Sequence, residues 1–211
     1  MQPHHPRHRS KLLAFTLIEV LLVIIIIGAL LAVTTPAIQG AVAASRLRDS
    51  AASISSELFE AQQLAITQGT ETEVRIYQLP DLADPDPSPV LRKVQVFTLS
   101  QPPDGPSAGE DAQGLFIPVG SPTSLGTGII ISSSTVFSSV VARGFQTDNH
   151  DHLGRFVAFR FHADGSTDLT PNKEWFLTLV ERKLSQHTVK PKNFVTLQID
   201  PASGHVRSFQ P

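Results

Sequence analysis

The sequence predicts an α+β protein, with one long N-terminal helix packed on an antiparallel β-sheet head. Three observations point there. Apolar residues run from 15 to 33 with one charged interruption, and residues 20–33 read VLLVIIIIGALLAV. Apolar residues then recur at helical spacing as far as Ala65, and Gly and Pro are absent from 41 to 68. Beyond Gly69 the pattern changes to the period of two expected of strands. A chain of 211 residues holds one domain with something added.

The helix is amphipathic only in its second half. Glu19 is the single charged residue between Lys11 and Arg46. A spanning helix needs about 20 apolar residues, so residues 15–35 are long enough to cross a bilayer. The preceding residues carry Arg7, Arg9 and Lys11 and no acid. Such a flank stays cytoplasmic, so the remainder faces outward. In residues 36–69 Leu47, Ala51, Ile54, Leu58, Ala61 and Ala65 form a narrow stripe expected to pack on the head. Gly69 is the expected stop.

Residues 70–211 form the expected head. Strands are expected over 73–79, 90–99, 115–119, 128–142, 155–162, 174–181, 194–200 and 205–209. Strands following a single helix favour an antiparallel sheet laid on that helix. Residues 80–89 and 101–114 are rich in Pro, Asp and Gly and read as long exposed connections, with a shorter one over 144–154.

Composition excludes several classes of function. Cysteine is absent, which removes disulfides, thiolate metal sites and a cysteine nucleophile. The formal net charge is −2. Without the three basic residues of 1–14, 14 basic residues remain against 19 acidic ones, a net −5. That sign does not suit non-specific binding to a nucleic-acid backbone.

Glu19 is the residue that needs a reason, because a carboxylate in a membrane span costs about 2.5–3.5 kcal/mol. Its surroundings supply one. Ala14 is followed by Phe15, Thr16, Leu17, Ile18 and Glu19. A short basic leader, a small residue, Phe-Thr-Leu-Ile-Glu and an unbroken apolar helix together resemble the type IV prepilin family, which includes the type II secretion pseudopilins. Family members usually carry Gly where Ala14 stands. The resemblance implies a type IV pilin-like fold and a leader, 1–14, removed by a prepilin peptidase between Ala14 and Phe15. It implies N-methylation of Phe15 and a kink at Pro36. It also implies that Glu19 sets register in a filament by facing the terminal amine of a neighbouring subunit. The implied partners are the inner membrane, the peptidase and other pilin or pseudopilin subunits. The implied location is a single-pass inner-membrane protein with a periplasmic head, joined to a filament after processing.

The head adds a second resemblance. Residues 57–76 (ELFEAQQLAITQGTETEVRI), 161–166 (FHADGS) and 195–207 (VTLQIDPASGHVR) are similar to the helix end, the Phe-x-x-Asp-Gly turn and the closing hairpin of the GspH/FimT-like minor pseudopilins. The layout also resembles the prepilin-like Verru_Chthon cassette D proteins. What these imply is a non-enzymatic minor pilin or pseudopilin with no cofactor. The alternative is a soluble exported binding protein released by ordinary signal peptidase, since Ala41-Val42-Ala43 before Ala44 has the small-x-small pattern. A minor pilin for DNA uptake is a further alternative. Against it, the hairpin reads Gly204-His205-Val206-Arg207 where the DNA-binding pattern carries more arginine. Arg182, Lys183, Lys190 and Lys192 read as a solvated basic stretch.

Other candidate chemistry is thin. Gly105-Pro106-Ser107-Ala108-Gly109 matches G-x-S-x-G but has no following helix. Asp148, His150, Asp151 and His152 offer metal-ligand types without a second ligand pair. Asp81, Asp84 and Asp86 lack the glycine and closing glutamate of a calcium loop. Gly126-Thr127-Gly128 lacks the third glycine of a phosphate loop. No catalytic or metal-binding residue is expected.

Overall fold

The structure is a computed structural model, and it describes residues 16–80, 88–100, 116–147, 154–184, 191 and 193–211, without the side chains of 33–39 and 184. The chain forms two compact units, Met1–Val42 and Ala43–Pro211. Helix α1 covers Leu17–Gln68. It ends at Gly69, which takes the left-handed φ of +64° that an L side chain resists.

In the second unit the expected stripe is the buried face of α1. Leu47, Ala51, Ile54, Leu58, Ala61 and Ala65 are all 3% exposed or less. Steps of four and three keep successive side chains on one face of a 3.6-residue helix. They meet Val74, Ile76, Phe159, Phe161, Leu177 and Leu197 in one hydrophobic core.

Nine strands are seen among the described residues: β1 (Thr72–Pro80), β2 (Pro89–Leu99), β3 (Phe116–Ser124), β4 (Ile129–Ile131), β5 (Gln146–Thr147), β6 (Arg155–Phe161), β7 (Trp175–Glu181), β8 (Phe194–Ile199) and β9 (Val206–Phe209). The sheet order is β5-β6-β1-β2-β4-β7-β8-β9, with β3 also on β2. Every pairing is antiparallel. Strand β2 branches: Leu91 pairs with Ile131 of β4, while Lys93 to Leu99 pair with β3. The expected α+β class with a helix on an antiparallel sheet is what the structure has.

Strand β1 is buried on both faces. Val74 and Ile76 join the main core, and Tyr77 joins a second cluster with Phe97, Phe156 and Ala158. Alternation puts Glu73 and Arg75 on that second face. They are buried as an ion pair at 2.6 Å. The Arg75 guanidinium lies 4.0 Å from the Phe97 ring centre and 4.6 Å from that of Phe156. Arg160 adds a second contact to Glu73 at 2.9 Å. A carboxylate held by two guanidiniums, one of them between aromatic rings, has partners that offset its loss of water.

Two expectations are corrected. Residues 128–142 are not one strand; β4 stops at Ile131 and a 3₁₀ turn occupies Ser139–Arg143. The serine-rich sequence explains it, because hydroxyls offer the backbone partners other than a strand. Ser138 Oγ accepts the Thr178 N–H at 3.0 Å. Ser139 Oγ accepts the Phe176 N–H at 2.8 Å and donates to the Glu174 carbonyl at 2.9 Å. Two side chains thus stand in for a neighbouring strand along β7. The second correction is β5, two residues inside the expected loop 144–154, paired with Phe156 and Arg155.

Candidate functional site

The predicted peptidase junction, Ala14 and Phe15, lies outside the described residues. Thr16 caps α1. The Glu19 N–H donates to the Thr16 carbonyl at 3.1 Å and to Thr16 Oγ1 at 3.3 Å. Thr-x-x-Glu is the sequence of a capping box, in which the first hydroxyl accepts from the third helical amide. Glu19 lies in the first helical turn. There its carboxylate meets the positive end of the helix dipole. The T-x-x-E spacing was present in the sequence and would have revealed this local role.

The side chains that follow bury no face. Leu17 and Ile18 are 88% and 74% exposed, and the large apolar residues from Val20 to Leu31 are 48–62% exposed. A helix that is apolar all round has no polar face to give to water. Among the described residues no helix is long and apolar enough to cross a membrane. Pro36, the expected kink, is part of the helical run, and its side chain lies outside the described ones. The alternative cleavage segment, Ala41 to Ala44, is helical throughout.

In the head, the motifs read as turn and hairpin are brought together by one helix side chain. Gln62 Nε2 donates to the Gly165 carbonyl at 2.8 Å and to the Ser203 carbonyl at 2.7 Å. Thr167 N–H reaches the Pro201 carbonyl at 2.9 Å. Gly165 and Gly204 both have positive φ, +85° and +66°. A Cβ on Gly204 would collide with the Gly165 carbonyl oxygen and with Gln62. The two turns stack because Gly204 has no side chain where it meets the Gly165 carbonyl, while a Cβ on Gly165 would press on Ile66 and Gln62 of α1; Gln62 clasps both turns onto the helix. Sequence reading missed Gln62, since a lone exposed-type residue on a helix carries no signal of a contact 103 and 141 positions away.

Each turn is closed by an aspartate. Asp200 Oδ1 accepts the N–H groups of Ser203 (3.0 Å) and Ala202 (2.9 Å). These bonds, that of Ser203 foremost, hold its carboxyl below the usual carboxylate range. Asp164 is lowered likewise, first by the Ser166 hydroxyl and then by the Ser166 N–H. A depressed folded pKa contributes stability above the unfolded value and loses it as pH falls through the folded one. The protection of the Ala202, Ser203 and Ser166 amides from hydrogen exchange, relative to their intrinsic rates, is therefore expected to fall below about pH 4. In Asp200→Asn the amides of Ala202 and Ser203 should lose that pH dependence. Unchanged dependence in the variant would contradict the assignment.

The remaining sequence candidates stay apart from these sites. Ser107, Asp148, His150, Asp151, His152, Asp81, Asp84, Asp86, Lys190 and Lys192 lie outside the described residues. Gly126-Thr127-Gly128 joins β3 to β4, with the Gly126 N–H donating to Ser50 Oγ on α1 at 3.1 Å. It is a tight connection to the helix. Arg182 donates to Ser88 Oγ at 3.0 Å. Among the described residues no three His, Asp or Glu side chains are grouped to hold a metal ion.

No family profile matches the chain, and no curated protein sequence matches it. Among solved structures it is similar to the minor pseudopilin EpsH from the type 2 secretion system of Vibrio cholerae. Identity is 15%, the match covers 79% of this chain and 98% of that one, and the TM-score is 0.42. It is also similar to the type IV minor pilin FimU of Pseudomonas aeruginosa at 13% identity, covering 79% of this chain and 89% of that one with a TM-score of 0.43.

Proposed function

We propose that the chain is a minor pilin or pseudopilin, a structural subunit of a type II secretion or type IV pilus-like filament. It is made as a precursor, inserted in the inner membrane through residues 15–35, and cut by a prepilin peptidase between Ala14 and Phe15. Phe15 is then methylated. The observation that carries this reading is the first half of α1. A helix that exposes Leu17 at 88%, Ile18 at 74% and every large apolar residue to Leu31 needs lipid or other helices around it. The acid in its first turn needs a cation once it is there. Cleavage supplies one, because it leaves a free amine on Phe15. A positive amine at the positive end of a helix dipole is itself destabilised and gains from a neighbour's carboxylate. Glu19 of the next subunit meets that need and fixes how far one helix slides past another. Such a subunit works by assembly, with the head facing the periplasm, and takes neither cofactor nor nucleic acid as partner.

The test is mass analysis of the mature N-terminus from the membrane fraction. Methylated Phe15 is expected. A mature chain beginning at Ala44 would overturn the proposal in favour of a released soluble protein.

A further inference from the structure

Sheets leave edges, and several of those described here are guarded. On β6, beyond β5, Arg143 Nε donates to the Ala158 carbonyl at 2.8 Å. Further along, the Arg160 N–H and carbonyl are taken by Asp168, at 2.8 and 3.1 Å. Strand β3 carries Pro118 and Pro122, which cannot donate to an added strand. Along β7 the hydroxyls of Ser138 and Ser139 fill the places of a missing partner. Among the described residues strand β9 has none of these guards. It pairs with β8 through Val206 to Phe209 and with no other described strand.

The geometry of β9 says which groups are on offer. The Asp200 N–H donates to the His205 carbonyl at 2.9 Å. Antiparallel bonding alternates from there. His205, Arg207 and Phe209 therefore turn their backbone groups toward β8, and Val206 and Ser208 turn theirs to the open edge. Side chains alternate as well. Val206 packs on the core. Arg207 and Phe209 point to the sheet face away from it, opposite Gln198 and Thr196. On that face lies an open groove of about 560 Å³. Its floor is the Thr178–Thr196 hydroxyl pair, 3.1 Å apart. Its walls include Phe176, Phe194, Val136 and Phe209, the last two 73% and 49% exposed.

We infer that β9 is an acceptor edge for an extended segment of another protein, added antiparallel as a further strand. Four backbone groups, the N–H and C=O of Val206 and Ser208, receive it. The side chain opposite Phe209 is bulky and apolar and packs on the exposed Phe209 ring, which forms the near wall of the groove. Two positions later the side chain opposite Arg207 is acidic, because cross-strand neighbours of opposite charge attract. The partner is thus a strand of pattern apolar-x-acid. A second copy's β9 does not carry it, since its sequence Val-Arg-Ser-Phe brings a base and no acid. This inference stands whether or not the chain polymerises.

The experiment uses the full-length chain in detergent micelles and an end-blocked peptide, Thr-Val-Thr-Phe-Thr-Glu-Thr. Residue-resolved hydrogen exchange should show the Val206 and Ser208 amides slowed at least about tenfold by peptide, with no such change at Arg207 and Phe209. The same peptide with lysine in place of glutamate should bind at least about tenfold more weakly. Ser208→Pro, which removes an edge amide, should abolish the slowing at Val206. Phe209→Ala, which leaves the backbone free, should weaken binding if the proline variant does not fold. No slowing at Val206 and Ser208, equal binding of the two peptides, or slowing that tracks protein concentration without peptide would each overturn the inference.

Discussion

Glu19→Val is expected to insert and mature like the wild type, yet its recovery in pelletable filaments should fall by at least about tenfold, the ratio set by about 1.4 kcal/mol. Insertion should not suffer, because valine removes the one charged side chain from an apolar run. The helix start loses little, since the cap itself comes from Thr16 Oγ1, which the Glu19 backbone N–H still reaches. Under the proposed pairing, what disappears is the counter-charge for a neighbour's Phe15 amine. Removing one partner of a buried pair leaves the other uncompensated, which typically costs about 3–5 kcal/mol. Glu19→Gln separates charge from hydrogen bonding: it keeps polarity and reach but should assemble poorly too. Wild-type recovery of both variants would show that charge pairing plays no part.

The second large effect is in the head. Gly204→Ala should destabilise the fold by about 3 kcal/mol, from strain at positive φ and from overpacking. The contact behind the second part is the Gly165 backbone carbonyl, which cannot rotate away as a flexible side chain would. Gly69→Ala is the control. Its φ of +64° nearly equals the +66° of Gly204, but nothing lies within 4 Å of the added Cβ. It should therefore cost about 1–2 kcal/mol, the strain alone. Urea or thermal denaturation of both variants measures the difference. Equal losses would mean that the stacked turns are not in close contact.

Much of this architecture was legible because it is periodic. Leu47 to Ala65 followed a strict 4-3-4-3-4 spacing, and each of the six is buried. The Glu73 to Leu79 alternation marked β1 for the same reason. Alternation alone does not tell that both faces of β1 are covered, and Glu73 and Arg75 are 5% exposed. Burial there depends on Phe97 and Phe156, whose positions follow from strand order, and order is set by long-range pairing. Residues 128–142 failed for the opposite reason: Ile129–Ile131 carried a true strand signal, and the serines after it chose side-chain bonds to β7. At the N-terminus the apolar run and Glu19 were plain in the sequence, and so was the Thr16-x-x-Glu19 spacing that marks the cap. Gln62 had no local signal at all.

In the proposed filament Glu19 faces the amino terminus of a different copy. Zero-length carbodiimide cross-linking of filaments tests this directly, using subunits grown half in heavy and half in light isotope. A carboxylate and an amine in contact condense to an amide with loss of water, so the account predicts a cross-linked peptide joining the Glu19 side chain to the Phe15 amine in mixed heavy–light form. Filaments that yield this link only within one copy, or not at all, would contradict it.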